Sequence, residues 1–457
     1  MSADPGASEG PTGVLRGHPR VAVLVAAYTV SNFGSAVAML AFTYVSYVIT
    51  GSLVATVVVM AASALPAVIL MRRATRLAQR FDLRWSLGLL TLGKAALFFI
   101  VGTLIYLGYL SFWLLLVTSL VNGILGALIF PGWNDFLRII APGGRIADLD
   151  SVLMSYSAVA GIAGVIVGGL MLDAWGPGSL FIVNAISYVV YVAPLALFQP
   201  MRPTQDSDAH VSMREGASLI RDTQALRRFV VIALVVQLLA WPILNLLPNV
   251  AVGIGSSAVI FSLLLSSIYA GMALVAPILH VREKRYSQWH IAIVALIILT
   301  IATALVSVGP FLGASLRLLV LMAVLVPLGM ALNMTSVLTA AAVQSGAPDN
   351  QESEVLAVYS AAVTVIAPIG ALAISAIADT WNVWLAVLVE AFGIGILLLY
   401  FLTPKVRAQV AGLSANREHL VRGQVIHGAI ARTLHGDIGP IRGLGSDHVA
   451  SGGPPGA

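Results

Sequence analysis

Residues Met71 to Leu87 read MRRATRLAQRFDLRWSL, and five of them, Arg72, Arg73, Arg76, Arg80 and Arg84, are cationic against the single acid Asp82. On both sides the chain turns apolar for about 20 residues, enough for a helix to cross the hydrocarbon of a bilayer. A cationic patch in that setting is a tight turn between two membrane helices, and such turns stay on the cytoplasmic side. A nucleic-acid face would need its basic residues gathered on one wet surface. Here the rest are dispersed over segments that flank apolar runs.

Composition leads to the same class. Of 457 residues, 59% are hydrophobic and 10% charged, and the mean hydropathy is +0.94. A water-soluble chain of this length needs far more charge to wet its surface, so lipid and neighbouring helices must surround most side chains. The expected class is an all-α membrane protein, with the lipid bilayer as a partner and no nucleic acid. Cysteine is absent, which excludes disulfides, thiolate metal sites and cysteine nucleophiles.

Apolar windows of span length predict helices near 21–48, 52–71, 85–108, 110–138, 150–172 and 178–199, and again near 228–252, 257–280, 289–310, 314–343, 354–378 and 381–403. Twelve transmembrane helices in two pseudo-symmetric sets of six are therefore expected. The first bundle occupies 19–200, a polar cytoplasmic linker 201–227, and the second bundle 228–403. Residues 1–18 are rich in Pro, Gly and Ser without the apolar core of a signal peptide, and 404–457 are Gly-rich and polar. Both are expected to be disordered cytoplasmic tails. With both termini inside, only Lys94, within a span, and Arg317, at an outer end, escape the cytoplasmic side among 25 basic residues.

The halves repeat. Asp173-Ala-Trp175 at the end of the fifth span recurs as Asp379-Thr-Trp381 at the end of the eleventh, and Gly164 with Gly370 and Asn184 with Glu390 keep the same offset of 206 residues. Duplicated bundles are a common construction of transporters.

Several motifs now give the chain a resemblance to major facilitator superfamily transporters, in the branch of drug, macrolide and siderophore exporters, from about Val21 to Pro404. The first-loop signature G-x-L-A-D-R-x-D-R-R is matched by Leu77, Ala78, Arg80, Phe81, Asp82 and Arg84. The fifth-span Gly-Pro-x-x-Gly-Gly is similar to Gly164, Gly168 and Gly169. Arg214-Glu215-Gly216 and Leu226-Arg227-Arg228 resemble the entry into the second bundle, and Val355 to Ile369 fits the eleventh span. The departures are Thr75 and Gln79 for the signature's leading Gly and first acid, Val165 for the Pro, and Ser35 for a first-span acid. The resemblance implies that Arg76, Gln79, Arg80, Asp82 and Arg84 form a gating loop. A neutral Gln79 in place of its acid should weaken the cytoplasmic latch between bundles.

The resemblance also implies a cavity lined by the first, fourth, seventh and tenth spans. Polar residues buried there are costly unless they face water, a substrate or one another. Tyr28, Asn32 and Ser35 share one face of the first span, and Gln237, Trp241, Asn245 and Asn249 recur every four residues in the seventh, where Pro242 and Pro248 should bend the helix. Thr118 and Asn122, Tyr156, Asn333 and Thr335 extend the set. The plain alternative for all of them is interhelical hydrogen bonding. Such neutral amides and aromatics suit a bulky, partly apolar ligand.

Charges within spans are few. Lys94 reads as a snorkelling or paired structural lysine. Glu390 has no neutralising neighbour in sequence, and a carboxyl there either carries a proton or is a hydrogen-bonded neutral acid. Asp135 is the other candidate coupling group, or pairs with Arg138 or the arginine loop. Gly88 to Lys94 imitates a phosphate loop but lies in an apolar run and has Ala95 where Ser or Thr is needed. His419, His427 and His435 lack an acid or Cys to complete a metal site. With no catalytic constellation, neither an enzyme nor a cofactor or metal is expected.

The expected function is secondary active export of a hydrophobic or amphipathic small molecule (drug, natural product or siderophore) across the plasma membrane, with protons as the coupling ion implied by the resemblance. The rival is a degenerate transporter-like protein acting as a binding or scaffold subunit.

Overall fold

A bilayer leaves backbone groups no partner but the chain itself, so the apolar windows become helices. The computed structural model describes residues 15–78, 81–201, 213–275, 288–347 and 351–403. The expected disorder of 1–14 and 404–457 concerns residues outside that set, as do the side chains of Arg72, Thr75 and Arg76 and all of Gln79 and Arg80.

The first half contains α1 (Pro19–Leu40), which continues through a π-helical turn Ala41–Val45 into Ser46–Thr50, then α2 (Leu53–Ala78), α3 (Leu83–Tyr106), α4 (Phe112–Ile140), α5 (Ile146–Trp175) and α6 (Pro177–Val192). A short amphipathic helix, α7 (Met213–Asp222), falls within the expected linker. The second half contains α8 (Gln224–Leu239), α9 (Ile243–Gly255), α10 (Ala258–Ala273), α11 (Gln288–Val306), α12 (Ala314–Gly346), α13 (Glu352–Thr380) and α14 (Val383–Leu402).

Every expected window coincides with a helix. Among the described residues, ten helices are long and apolar enough to cross a membrane, α8 and α9 counting together, and the apolar parts of two more, Leu53–Pro66 and Ala258–Ala273, are shorter. The helix starts follow local chemistry: the side chains of Asp82 and Ser111 accept the N–H groups of Trp85 and Leu114, and Pro19 and Pro177 open α1 and α6.

Helix contacts in the two halves repeat. A Cβ on Gly164 of α5 would collide with the carbonyl oxygen of Phe33 on α1, and one on Gly370 of α13 with that of Leu238 on α8. Gly123 of α4 meets Ser63 of α2 in the same way that Gly329 of α12 meets Ile268 of α10. Backbones approach this closely only at glycine, the usual means of helix packing where lipid offers no hydrophobic drive. Between halves, α5 packs on α10 and α2 on α13.

Candidate functional site

The chain between α8 and α9 is broken by sequence. Pro242 has no N–H, so the Leu238 carbonyl loses its helical donor, and the Trp241 N–H turns instead to Val236 O at 3.3 Å, beside the Ala240 N–H at 2.8 Å. The break sets Trp241 and Pro242 into the wall of a cavity of about 380 Å3 formed with residues of α1, α2, α10 and α13. Most of that wall is apolar, as at Met60, Phe261 and Leu265, and among the described residues no charged side chain lines it. Thr43 and Thr364 spend their hydroxyls on Met39 O and Ser360 O, and the Tyr269 hydroxyl lies 3.5 Å from Met39 Sδ. The Trp241 indole N–H is buried without a partner. The polar side chains that the cavity wall takes from α8 and α9 are the amides of Gln237 and Asn245.

The cavity therefore gathers Gln237, Trp241 and Asn245 from the sequence-derived set and not the other five. Tyr28 stacks on Trp133 at 5.0 Å and meets Tyr191 edge-on. Asn32 donates to the carbonyl of Tyr28, and Asn333 to that of Met272 on α10. Tyr156 is exposed, and Asn122 keeps its Oδ1 buried without a partner on α4. The walls come from the second, eighth and eleventh spans rather than the fourth and tenth.

One end of the molecule is closed by two acid clamps that sequence reading registered only as a repeat. Asp379, ending α13, accepts from Ser52 Oγ at 2.7 Å and from the N–H groups of Leu53 and Val54 at 2.9 and 3.0 Å, so it caps α2 in the other half. Asp173, near the end of α5, accepts from Ser257 Oγ at 2.6 Å and the Ala258 N–H at 3.1 Å, and so caps α10. A carboxylate at a helix N-terminus takes up otherwise orphaned donors and meets the positive end of the helix dipole. Asn249 Nδ2 donates to Tyr47 Oη at 2.6 Å, and Tyr44 stacks on Phe261 at 5.4 Å, adding two further contacts between halves at this end. Ala371 of the cavity wall lies eight residues below Asp379 on α13, about 12 Å along the axis.

Of the gating loop, Asp82 serves as the N-cap of α3. Arg84 donates to Phe198 O at 2.9 Å and lies over the Trp85 ring. Lys94 Nζ stands 5.6 Å from the centre of the Tyr188 ring. Asp135 and Arg138, one helical turn apart on α4, are not within ion-pair distance of each other; the other expected partner, the arginine loop, lies mostly outside the described side chains. Glu390 is fully buried, and neither carboxyl oxygen has a partner.

A polytopic helical chain with an uncharged cavity between its halves, clamped shut at one end, belongs to the class of membrane transporters. The model of the family described as "Transmembrane secretion effector" matches residues 16–441, and the chain belongs to that family of the major facilitator superfamily. It is similar to the uncharacterized MFS-type transporter YfiS of Bacillus subtilis (strain 168), 26% identical over 217 residues, which are 46% of this chain and 51% of that protein. The chain thus spans about half the length of the curated relative it matches. Among solved structures it is similar to the nucleoside transporter NupG (TM-score 0.67, 12% identity, 84% of this chain and 98% of that one). It is also similar to a bacterial homolog of the human lysosomal transporter Spinster in an inward-facing, unoccupied conformation (0.67, 13%, 84% and 96%) and to a D-xylose-proton symporter (0.62, 14%, 84% and 97%). At these identities the likeness shows the fold.

Proposed function

We propose that this protein is a twelve-span exporter of the plasma membrane, with both termini cytoplasmic. It moves a hydrophobic or amphipathic small molecule by alternating access of two six-helix bundles, and an ion gradient, most simply of protons, supplies the energy. The observation that carries this reading is the cavity between halves lying just inside the twin clamps, with neutral amide and indole groups on an apolar wall. A multiply charged ligand would find no counter-charge there, whereas a bulky apolar one with a few acceptors or donors would. The volume of about 380 Å3 lies at the lower end of the range for small-molecule sites, which runs from about 300 to 1,000 Å3. The positive-inside distribution supports an outer-face position for the clamps, and with it a state closed to the outside. The family's description as a secretion effector supports export.

Everted membrane vesicles given an imposed proton gradient and the dyes rhodamine 6G and ethidium test it. Accumulation is expected with the parent. With Trp241→Ala it should fall by about tenfold, the effect of losing one large aromatic contact worth about 1.4 kcal/mol. If neither dye nor any of a panel of lipophilic natural products accumulates while the purified protein captures a partner protein, the scaffold reading replaces this one.

A further inference from the structure

Glu390 lies on the buried face of α14, three residues before Gly393, which packs on Leu239 at the end of α8. The repeat of contacts places it. In the first half Gly34 of α1 is faced by Ser187 and by Asn184 Oδ1 of α6, and in the second Leu239 of α8 is faced by Gly393 of α14. Ser187 corresponds to Gly393 and Asn184 to Glu390 at the same offset, so Glu390 stands against the end of α8 and the break as Asn184 stands against Gly34. It lies one helical turn from Gly393 on the buried face of α14.

Among the described residues, the carboxyl makes no ion pair with any charge on the helices packed on α14. Arg227 and Arg228 begin α8, His290 lies in the first turn of α11, and Glu352, Glu354 and Tyr359 lie toward the start of α13. Asp379 at its end is engaged in capping α2, α9 carries no titratable group, and Tyr400 lies toward the far end of α14 itself. Arg317 of α12 lies over the Trp384 ring, six residues from Glu390, and its Nη groups donate to Gly253 O and Leu312 O. A bare carboxylate in an apolar interior without donor or counter-charge is prohibitively costly, so this state requires the neutral acid. Even neutral, its polar atoms go unsatisfied, as does the Trp241 indole N–H in the adjoining turn. A buried group that lacks partners in one state is explained when another state supplies them.

We propose that Glu390 is a proton-carrying site governed by the Ala240–Pro242 break. In the clamped state it keeps its proton. When the break rearranges, the O–H bond parts, the proton passes to water entering from the cavity, and the electron pair stays on the carboxylate. This rests on the transporter reading above and identifies its coupling ion and carrier.

The test uses the full-length protein in liposomes with spin labels on Tyr109→Cys and Phe311→Cys, exposed sites at the clamped end of either half, in a chain with no native cysteine. The ratio of clamped to open populations should change with pH, by at most about tenfold per unit for one proton. Glu390→Gln should abolish that response, and Glu390→Asp should keep it with a displaced midpoint. Infrared spectra should show a protonated-carboxyl stretch that Glu390→Gln removes. A response unchanged in Glu390→Gln overturns the proposal, as does an unaltered infrared band. Two populations indifferent to pH in the parent overturn it while leaving alternating access intact. A single population under every condition overturns alternating access itself.

Discussion

Replacing Asp173 and Asp379 by alanine should release the clamped end. Asp379 receives three hydrogen bonds, two of them from backbone N–H groups of α2, and Asp173 receives two at α10. An acidic N-cap contributes about 0.5–2 kcal/mol to its helix. Both acids are solvent-exposed, so screening holds each near the middle of that range, about 1 kcal/mol. Each single variant should shift the balance between clamped and open states by about fivefold. The two acids sit in different halves and share no partner, so their effects should add, giving about 30-fold for the double variant. Asparagine at either site keeps a neutral acceptor and should give an intermediate shift. Electron–electron distance measurements on labels at Tyr109→Cys and Phe311→Cys read the two populations directly. A double variant whose distance distribution stays within twofold of the parent's would show that the apolar packing of α5 on α10 and α2 on α13 closes this end without the acids.

Gly370→Ala forces a methyl onto the Leu238 backbone and should lower the thermal unfolding midpoint, at a cost of about 1–3 kcal/mol. Gly161→Ala, on open space in α5, should be neutral or stabilising by about 0.5–1 kcal/mol in the same melts. Ser256 holds φ at 52°, the left-handed region that Gly51 occupies at 65° in the matching turn of the first half. Ser256→Gly should therefore raise the midpoint, by about 0.5–1 kcal/mol of stability, and Gly51→Ser should lower it by as much.

Much of the architecture was legible because a bilayer imposes a crude rule. Long apolar runs become helices, and the arginines at Met71 to Leu87 mark a turn. The cavity was less legible because polarity in a membrane helix has several uses. Asn32 satisfies itself on the Tyr28 carbonyl, Asn333 ties α12 to α10, and Tyr28 is absorbed by an aromatic cluster with Trp133 and Tyr191. None of these differs in sequence from Gln237 or Asn245, which do face the cavity. Conversely, α2 contributes Val57, Met60, Ala61 and Ala64, apolar residues indistinguishable from those facing lipid. Which face of a helix turns inward depends on contacts with the other half, and no local pattern records them. Pro242 was the one exception, since a missing N–H in mid-span fixes the break wherever the helix lies.

The clamps show why duplication matters to such a gate. When two related halves face each other, a residue placed by one copy to reach the other is answered by its own counterpart, as in any isologous interface. Asp379 reaches Ser52 and the start of α2, and Asp173 reaches Ser257 and the start of α10, so each half makes the same kind of contact to the other. Matched clamps alone cannot give transport a direction or a coupling ion, since whatever acts on one acts on its twin. Directionality must enter where the copies have diverged. Asn184 against Glu390, and the continuous α1 against the break between α8 and α9, are divergences of that kind. Under the proposal for Glu390, coupling depends on the broken turn and on that acid, so it should follow substitutions in α9 and α14 far more than their counterparts in α1 and α6.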